Sequence, residues 1–94
     1  MSRKVRVTRE AGLDILRLAE FLSERAPSVV PKARAAILSG ITSLAANPSR
    51  GHASLSESLR ELHVKFGRFG YVIQYRVDAD AVVIARIFHG REKR

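Results

Sequence analysis

Arg60, Arg76, Arg86, His89 and Arg91, all from residue 60 onward, carry the side chains best suited to chemistry. Arginine offers a rigid, permanently charged fork that clamps a phosphate or grips a carboxylate. A histidine beside such a fork can pass a proton near neutral pH, as cleavage of a phosphodiester requires. Two readings follow. In one, His89, Arg60, Arg86 and Arg91 form a catalytic set acting on phosphate; in the other, the arginines hold an acidic protein segment. Other chemistries lack their residues. There is no cysteine, hence no thiol nucleophile, disulfide or thiolate metal site. Neither G-x-x-x-x-G-K-[ST], G-x-G-x-x-G nor G-x-S-x-G occurs, and no cofactor is expected. His52, His63 and His89 fall on different predicted elements without ligand spacing, so no metal site is expected either. Ser54, Ser56 and Ser58 read as loop.

The charge balance narrows the partners. Over 94 residues, 17 Lys and Arg face 9 Asp and Glu, a formal net charge of +8. The first 24 residues are nearly balanced; Arg25, Lys32, Arg34 and Arg50 then run through residue 56 with no acid between them. No run of five like charges occurs, so the excess lies on a folded surface and not in a disordered basic tail. An acidic partner, protein or nucleic acid, is implied. The length suits one domain spanning residues 1–94. No apolar run approaches the ~20 residues of a membrane span, and the basic start lacks a signal peptide's apolar stretch. A cytoplasmic protein with no membrane partner is expected.

Those side chains must be held by elements, which the pattern supplies. Arg3 to Thr8 alternates as a short strand with Val5 and Val7 on one side. Thr8 is placed to cap a helix running from Glu10 to about Arg25, with Ala11, Ile15, Leu18 and Leu22 as its apolar stripe. Glu10, Asp14, Arg17 and Glu24 mark its wet side, while Leu13 and Phe21 widen its apolar one. Ala26-Pro27-Ser28 breaks the chain before a second helix, from about Val29 to Ala46, that ends at Asn47-Pro48. Ala36 and Gly40, one turn apart, suggest close approach to the first helix. After a loop over Ser49 to Ser58 the period changes to two. Leu59 to Phe66, Tyr71 to Val77 and Ala81 to His89 read as an antiparallel meander. The fold class is α+β, with an N-terminal strand, an antiparallel helix hairpin, and the three-stranded meander carrying the helices on one face.

Register decides which side chains face outward. A three-residue loop at Asp78 to Asp80 pairs Val77 with Ala81, Tyr75 with Val83, Ile73 with Ala85 and Tyr71 with Ile87. That apolar face suits the helices, and it keeps Arg86 out of the core. The opposite face then carries Gln74, Arg76, Val82, Ile84, Arg86 and Phe88. Together with His89 and Arg91, these form the expected binding surface for a partner, apolar but studded with arginine.

The element order, together with Ala11…Asp14-Ile15, Leu44…Asn47-Pro48…Gly51, Leu59-Arg60-Glu61-Leu62, Phe66-Gly67…Gly70-Tyr71-Val72, Tyr75-Arg76-Val77 and His89-Gly90-Arg91-Glu92, resembles the RelE/ParE superfamily of type II toxin–antitoxin toxins. The resemblance covers nearly the whole chain and is nearest to the ParE, or plasmid-stabilisation, branch. It implies a toxin in a hetero-oligomer with a cognate small acidic antitoxin of ParD type, whose C-terminal segment folds on binding. RelE-like members are ribosome-dependent mRNA endonucleases, with basic residues on the sheet and an Arg directly after the Gly-Tyr of the third strand. Val72 stands there, and no Tyr follows the last strand; only Arg91 and His89 match. The resemblance therefore implies ParE-like poisoning of DNA gyrase, with RelE-like mRNA cleavage on the ribosome as the alternative.

Overall fold

A computed structural model of the chain describes residues 3–54 and 58–92; Ser56 of the expected loop and the terminal Lys93 and Arg94 lie outside them. Strand β1 (Lys4–Val7) leads into helix α1 (Arg9–Arg25) and, after a 3-10 turn over Pro27–Val29, helix α2 (Val30–Ala46). A second such turn, Pro48–Arg50, precedes β2 (His52–Ala53), β3 (Arg60–Val64), β4 (Tyr71–Val77) and β5 (Ala81–His89). The strands make one mixed sheet in the order β1-β5-β4-β3-β2. β1 runs parallel to β5; the helix hairpin carries the chain from β1 to β2 at the opposite edge, and the strands that follow return it to β5 beside β1. The other three pairings are antiparallel. The expected loop thus contains a two-residue edge strand, too short to leave a periodic signal.

Both helices begin and end where local chemistry dictates. The Thr8 hydroxyl accepts from Ala11 N at 3.1 Å, satisfying one of the orphan donors of the first turn of α1. Pro27 and Pro48 follow the two C-termini. Ala11 and Leu18 of α1 and Ile37, Ile41 and Leu44 of α2 bury against Leu62, Tyr71, Ile73, Tyr75, Val82, Ile84 and Ile87 of the sheet. Complete burial of such a side chain contributes about 1.5–3 kcal/mol. Gly40 serves this contact with the sheet and not, as its spacing suggested, the first helix. A Cβ there would lie 2.8 Å from Val64 Cγ2 and 3.0 Å from Ile73 Cδ1.

The expected register is overturned on β5. Val77 pairs with Val82, Arg76 with Val83 and Tyr75 with Ile84; a bulge then follows, and Gln74 pairs with Arg86 and Ile73 with Ile87. The extra residue, Ala85, reverses the facing of the strand. Val82, Ile84 and Ile87 all turn inward, burying more apolar surface than Val83 and Ala85 would have done. Val82 and Ile84 are therefore core residues and not part of an outward surface.

Asp14, expected on the wet side of α1, is 3% exposed. The reason lies at the edge of β5. β1 stops at Val7, opposite Ile84, and would leave the rest of that edge unpaired. Helix α1 covers it with side chains. The Thr8 hydroxyl donates to Ala85 O (2.9 Å), Arg17 Nη2 donates to Ile87 O (3.4 Å), and Asp14 Oδ2 accepts from Ile87 N (2.8 Å).

Tyr75 holds the opposite end. Its hydroxyl, on a fully buried side chain, donates to Pro48 O at 2.7 Å and accepts from Gly51 N at 2.9 Å and Arg60 Nε at 3.4 Å. This knot fixes the segment between α2 and β2. Tyr75→Phe orphans two of its partners, and urea denaturation is expected to show a loss of about 1–3 kcal/mol with the slope unchanged.

Candidate functional site

The five side chains of the expected constellation do not converge. Arg60 is held in the Tyr75 knot, where its guanidinium also donates to Ser49 O and Gly51 O. Arg76 lies on Asp78, with Nε 3.0 Å from Oδ1. Arg86 reaches round the edge of β5 to grip Asp14 with two bonds, of 2.8 and 3.0 Å. Only His89 and Arg91 remain near one another, with Arg91 N donating to His89 Nδ1 at 3.2 Å.

His89 pairs with Tyr71 and so shares the helix side of the sheet. There it borders a groove of about 710 Å³ between α1, the β3–β4 turn and the end of β5. Leu18, Phe21, Leu22, Phe66, Phe69 and Tyr71 make its apolar lining; Arg17, Arg68, His89, Arg91 and Glu92 rim it. Phe21 and Phe69 are 51% and 45% exposed. Cations lie on these rings: Arg25 is 3.8 Å from the Phe21 centroid and Arg91 4.9 Å from that of Phe69. The turn that presents Phe69 needs Gly67 and Gly70 at φ of +57° and +67°. Burial pushes the Tyr71 phenol up.

An ion network closes one end of the groove. Arg17 bridges Glu92 (2.8 Å) and Asp14 (3.3 Å), and Glu92 also accepts from His89 N at 2.7 Å, so the C-terminal turn is clasped to α1. Burial alone would raise the Asp14 carboxyl, but Arg86, the Ile87 N–H and Arg17 outweigh it and hold the group below its ordinary range. Burial likewise opposes the charge on Arg17, yet Glu92 and Asp14 hold its guanidinium more firmly protonated than usual.

The outward sheet face differs from expectation. Gln74, Arg76, Arg86 and Phe88 do share it, Arg76 and Arg86 on the same side. Its apolar residues are nevertheless already covered: Val72, Val83 and Phe88 are 1%, 5% and 8% exposed. Arg86 stands 4.8 Å from the Phe88 ring centroid, and Gln74 Nε2 donates to Glu61 Oε2 at 2.9 Å. His52 and His63, assigned to separate elements, meet on this face with Glu61.

A family model described as the ParE toxin of the type II toxin–antitoxin system parDE matches residues 5–94. The chain belongs to that family. It is a type II toxin of the RelE/ParE superfamily. Two relatives in Caulobacter vibrioides align along the whole toxin: Toxin RelE3, 45% identical over 98% of this chain and 99% of the relative, and Toxin RelE1, 36% identical over 100% of both. Two solved structures share the fold at 23% identity. The chromosomal ParDE system from P. aeruginosa has a TM-score of 0.80 and covers 94% of this chain and 96% of that one. The RelBE2 toxin–antitoxin complex from Mycobacterium tuberculosis has a TM-score of 0.67, with coverages of 98% and 95%. Among the described residues of the toxin, no helix is long and apolar enough to cross a membrane.

Of the groove residues only His89 and Arg91 belong to the expected surface; its aromatic lining, Phe21, Phe66, Phe69 and Tyr71, does not. Phe21 carried a signal, since it lay off the Ala11–Leu22 stripe that the core uses. Phe69 carried another: a large apolar residue between two turn glycines has no strand neighbours to cover it.

Proposed function

We propose that this toxin poisons DNA gyrase in the ParE manner and is silenced by a cognate, ParD-like acidic antitoxin that lays an apolar segment in the α1 groove. The dispersal of the basic residues carries the first half of the reading. Phosphodiester cleavage needs donors fixed around one developing charge, but Arg60 and Arg86 are committed to backbone carbonyls and to Asp14 at separate places. The groove supports the second half, because it combines exposed aromatic rings with a cationic rim on a chain of net charge +8. A second reading, mRNA cleavage on the ribosome, draws on His89 beside Arg91 at that rim and on relatives that bear RelE names.

Induction of the toxin without antitoxin separates the two. Gyrase-linked DNA breaks with intact transcripts are expected; ribosome-bound cuts in mRNA with normal supercoiling would overturn the proposal. His89→Ala sharpens the test. Growth inhibition is expected to persist in this variant, whereas an endonuclease relying on His89 for proton transfer loses roughly 100-fold or more in rate.

A further inference from the structure

We propose that His52, Glu61 and His63 bind a divalent late transition-metal ion, zinc foremost, on the sheet face opposite the helices. Strand register assembles the three. His52 of β2 stands directly opposite Glu61 of β3, and His63 lies two residues further along β3, hence on the same face. The imidazole rings stack with centroids 5.1 Å apart and planes 21° from parallel. One ligand atom from each residue lies within 4.8 Å of the other two, and His63 Nε2 is 3.9 Å from Glu61 Oε1. Ligands held at ~2.0–2.1 Å around a tetrahedral zinc are roughly 3.3 Å from one another. Both histidines are exposed, so side-chain rotation closes the difference without moving backbone.

The donor set selects the metal. Two imidazoles and a carboxylate suit zinc, copper or nickel, with water in the fourth position, and suit magnesium or calcium poorly. The carboxylate is also oriented from behind. Glu61 is only 9% exposed, and its Oε2 accepts from Gln74 Nε2, which leaves Oε1 turned toward His63. A bound ion would fasten β2, a strand of two residues, to β3. The proposal does not depend on which target the toxin attacks.

The test uses the full chain with any polyhistidine tag removed, titrated with Zn²⁺ by calorimetry and with Co²⁺ by visible absorption. One ion per chain is expected, with Mg²⁺ and Ca²⁺ inert. His52→Ala and His63→Ala should each weaken binding at least tenfold, and Glu61→Gln, which can still accept from Gln74, by about tenfold. Excess Zn²⁺ should raise the Tm of the wild type but not that of the His52→Ala/His63→Ala double variant. Circular dichroism verifies that the variants are folded. Wild type that takes up no Zn²⁺ at about 1 mM, or a folded double variant that binds it as well as wild type does, overturns the site.

Discussion

Asp14→Ala is expected to cost about 2–4 kcal/mol of stability, a large part of what holds a domain of this size together. The carboxylate accepts from Arg86 Nε and Nη2, from Arg17 Nη2 and from Ile87 N. Truncation leaves the Ile87 N–H buried without a partner, since β1 ends opposite Ile84 and no strand lies beyond it on that edge of β5. The arginines fare better. Their side chains are 43% and 45% exposed, so water resolvates them, and the loss stays below that of a fully buried pair. Asp14→Asn keeps an acceptor for Ile87 N and should lose less than the alanine variant. The pH dependence has a defined sign. The folded carboxyl titrates below its ordinary 3.8, so around and below that pH the unfolded chain binds more protons than the folded one. The stability contributed by Asp14 is complete above 3.8 and disappears as pH falls through the lower folded value. Urea denaturation should therefore show wild-type stability declining more steeply than that of Asp14→Ala as pH drops below about 4.

The same residue shows where sequence stops being informative. The helix limits are legible to within a residue because their signals are local: Thr8 at the cap, Ala26-Pro27 and Asn47-Pro48 at the ends, apolar residues three and four apart between. The extents of β4 and β5 are legible for the same reason. The facing of Asp14 is not, because an acid on a helix is placed by what stands opposite. Here that is an uncovered strand edge and Arg86, more than seventy residues away. The bulge at Ala85 is also non-local. Residues 81 to 89 hold apolar side chains on both alternations, so only pairing with Tyr75 and Ile73 decides which of them turn inward. The meeting of His52 with His63 depends on a two-residue strand with no periodicity of its own. One consequence touches function: the register that hides Val82 and Ile84 leaves the outward face with covered valines, and the exposed aromatic surface lies instead beside α1.

That relocation leads to the largest expected change in binding. Phe21→Asp combined with Phe69→Asp should weaken antitoxin affinity at least 100-fold, which is about 2.7 kcal/mol. Central aromatic residues of an interface commonly contribute 2 kcal/mol or more apiece, and here each ring is flanked by an arginine that an acidic segment would meet. Two new carboxylates both remove that surface and repel the incoming acids. The fold should tolerate them, because both side chains are about half exposed and neither belongs to the buried cluster. Thermal melting should accordingly shift by only a few degrees. The comparison that decides is Arg76→Glu on the opposite face; the partner of Arg76, Asp78, lies outside the buried network. Affinity lost there and retained in the phenylalanine variant would put the antitoxin on the outward sheet surface with Gln74 and Phe88. The opposite pattern places it in the groove, against His89 and Arg91.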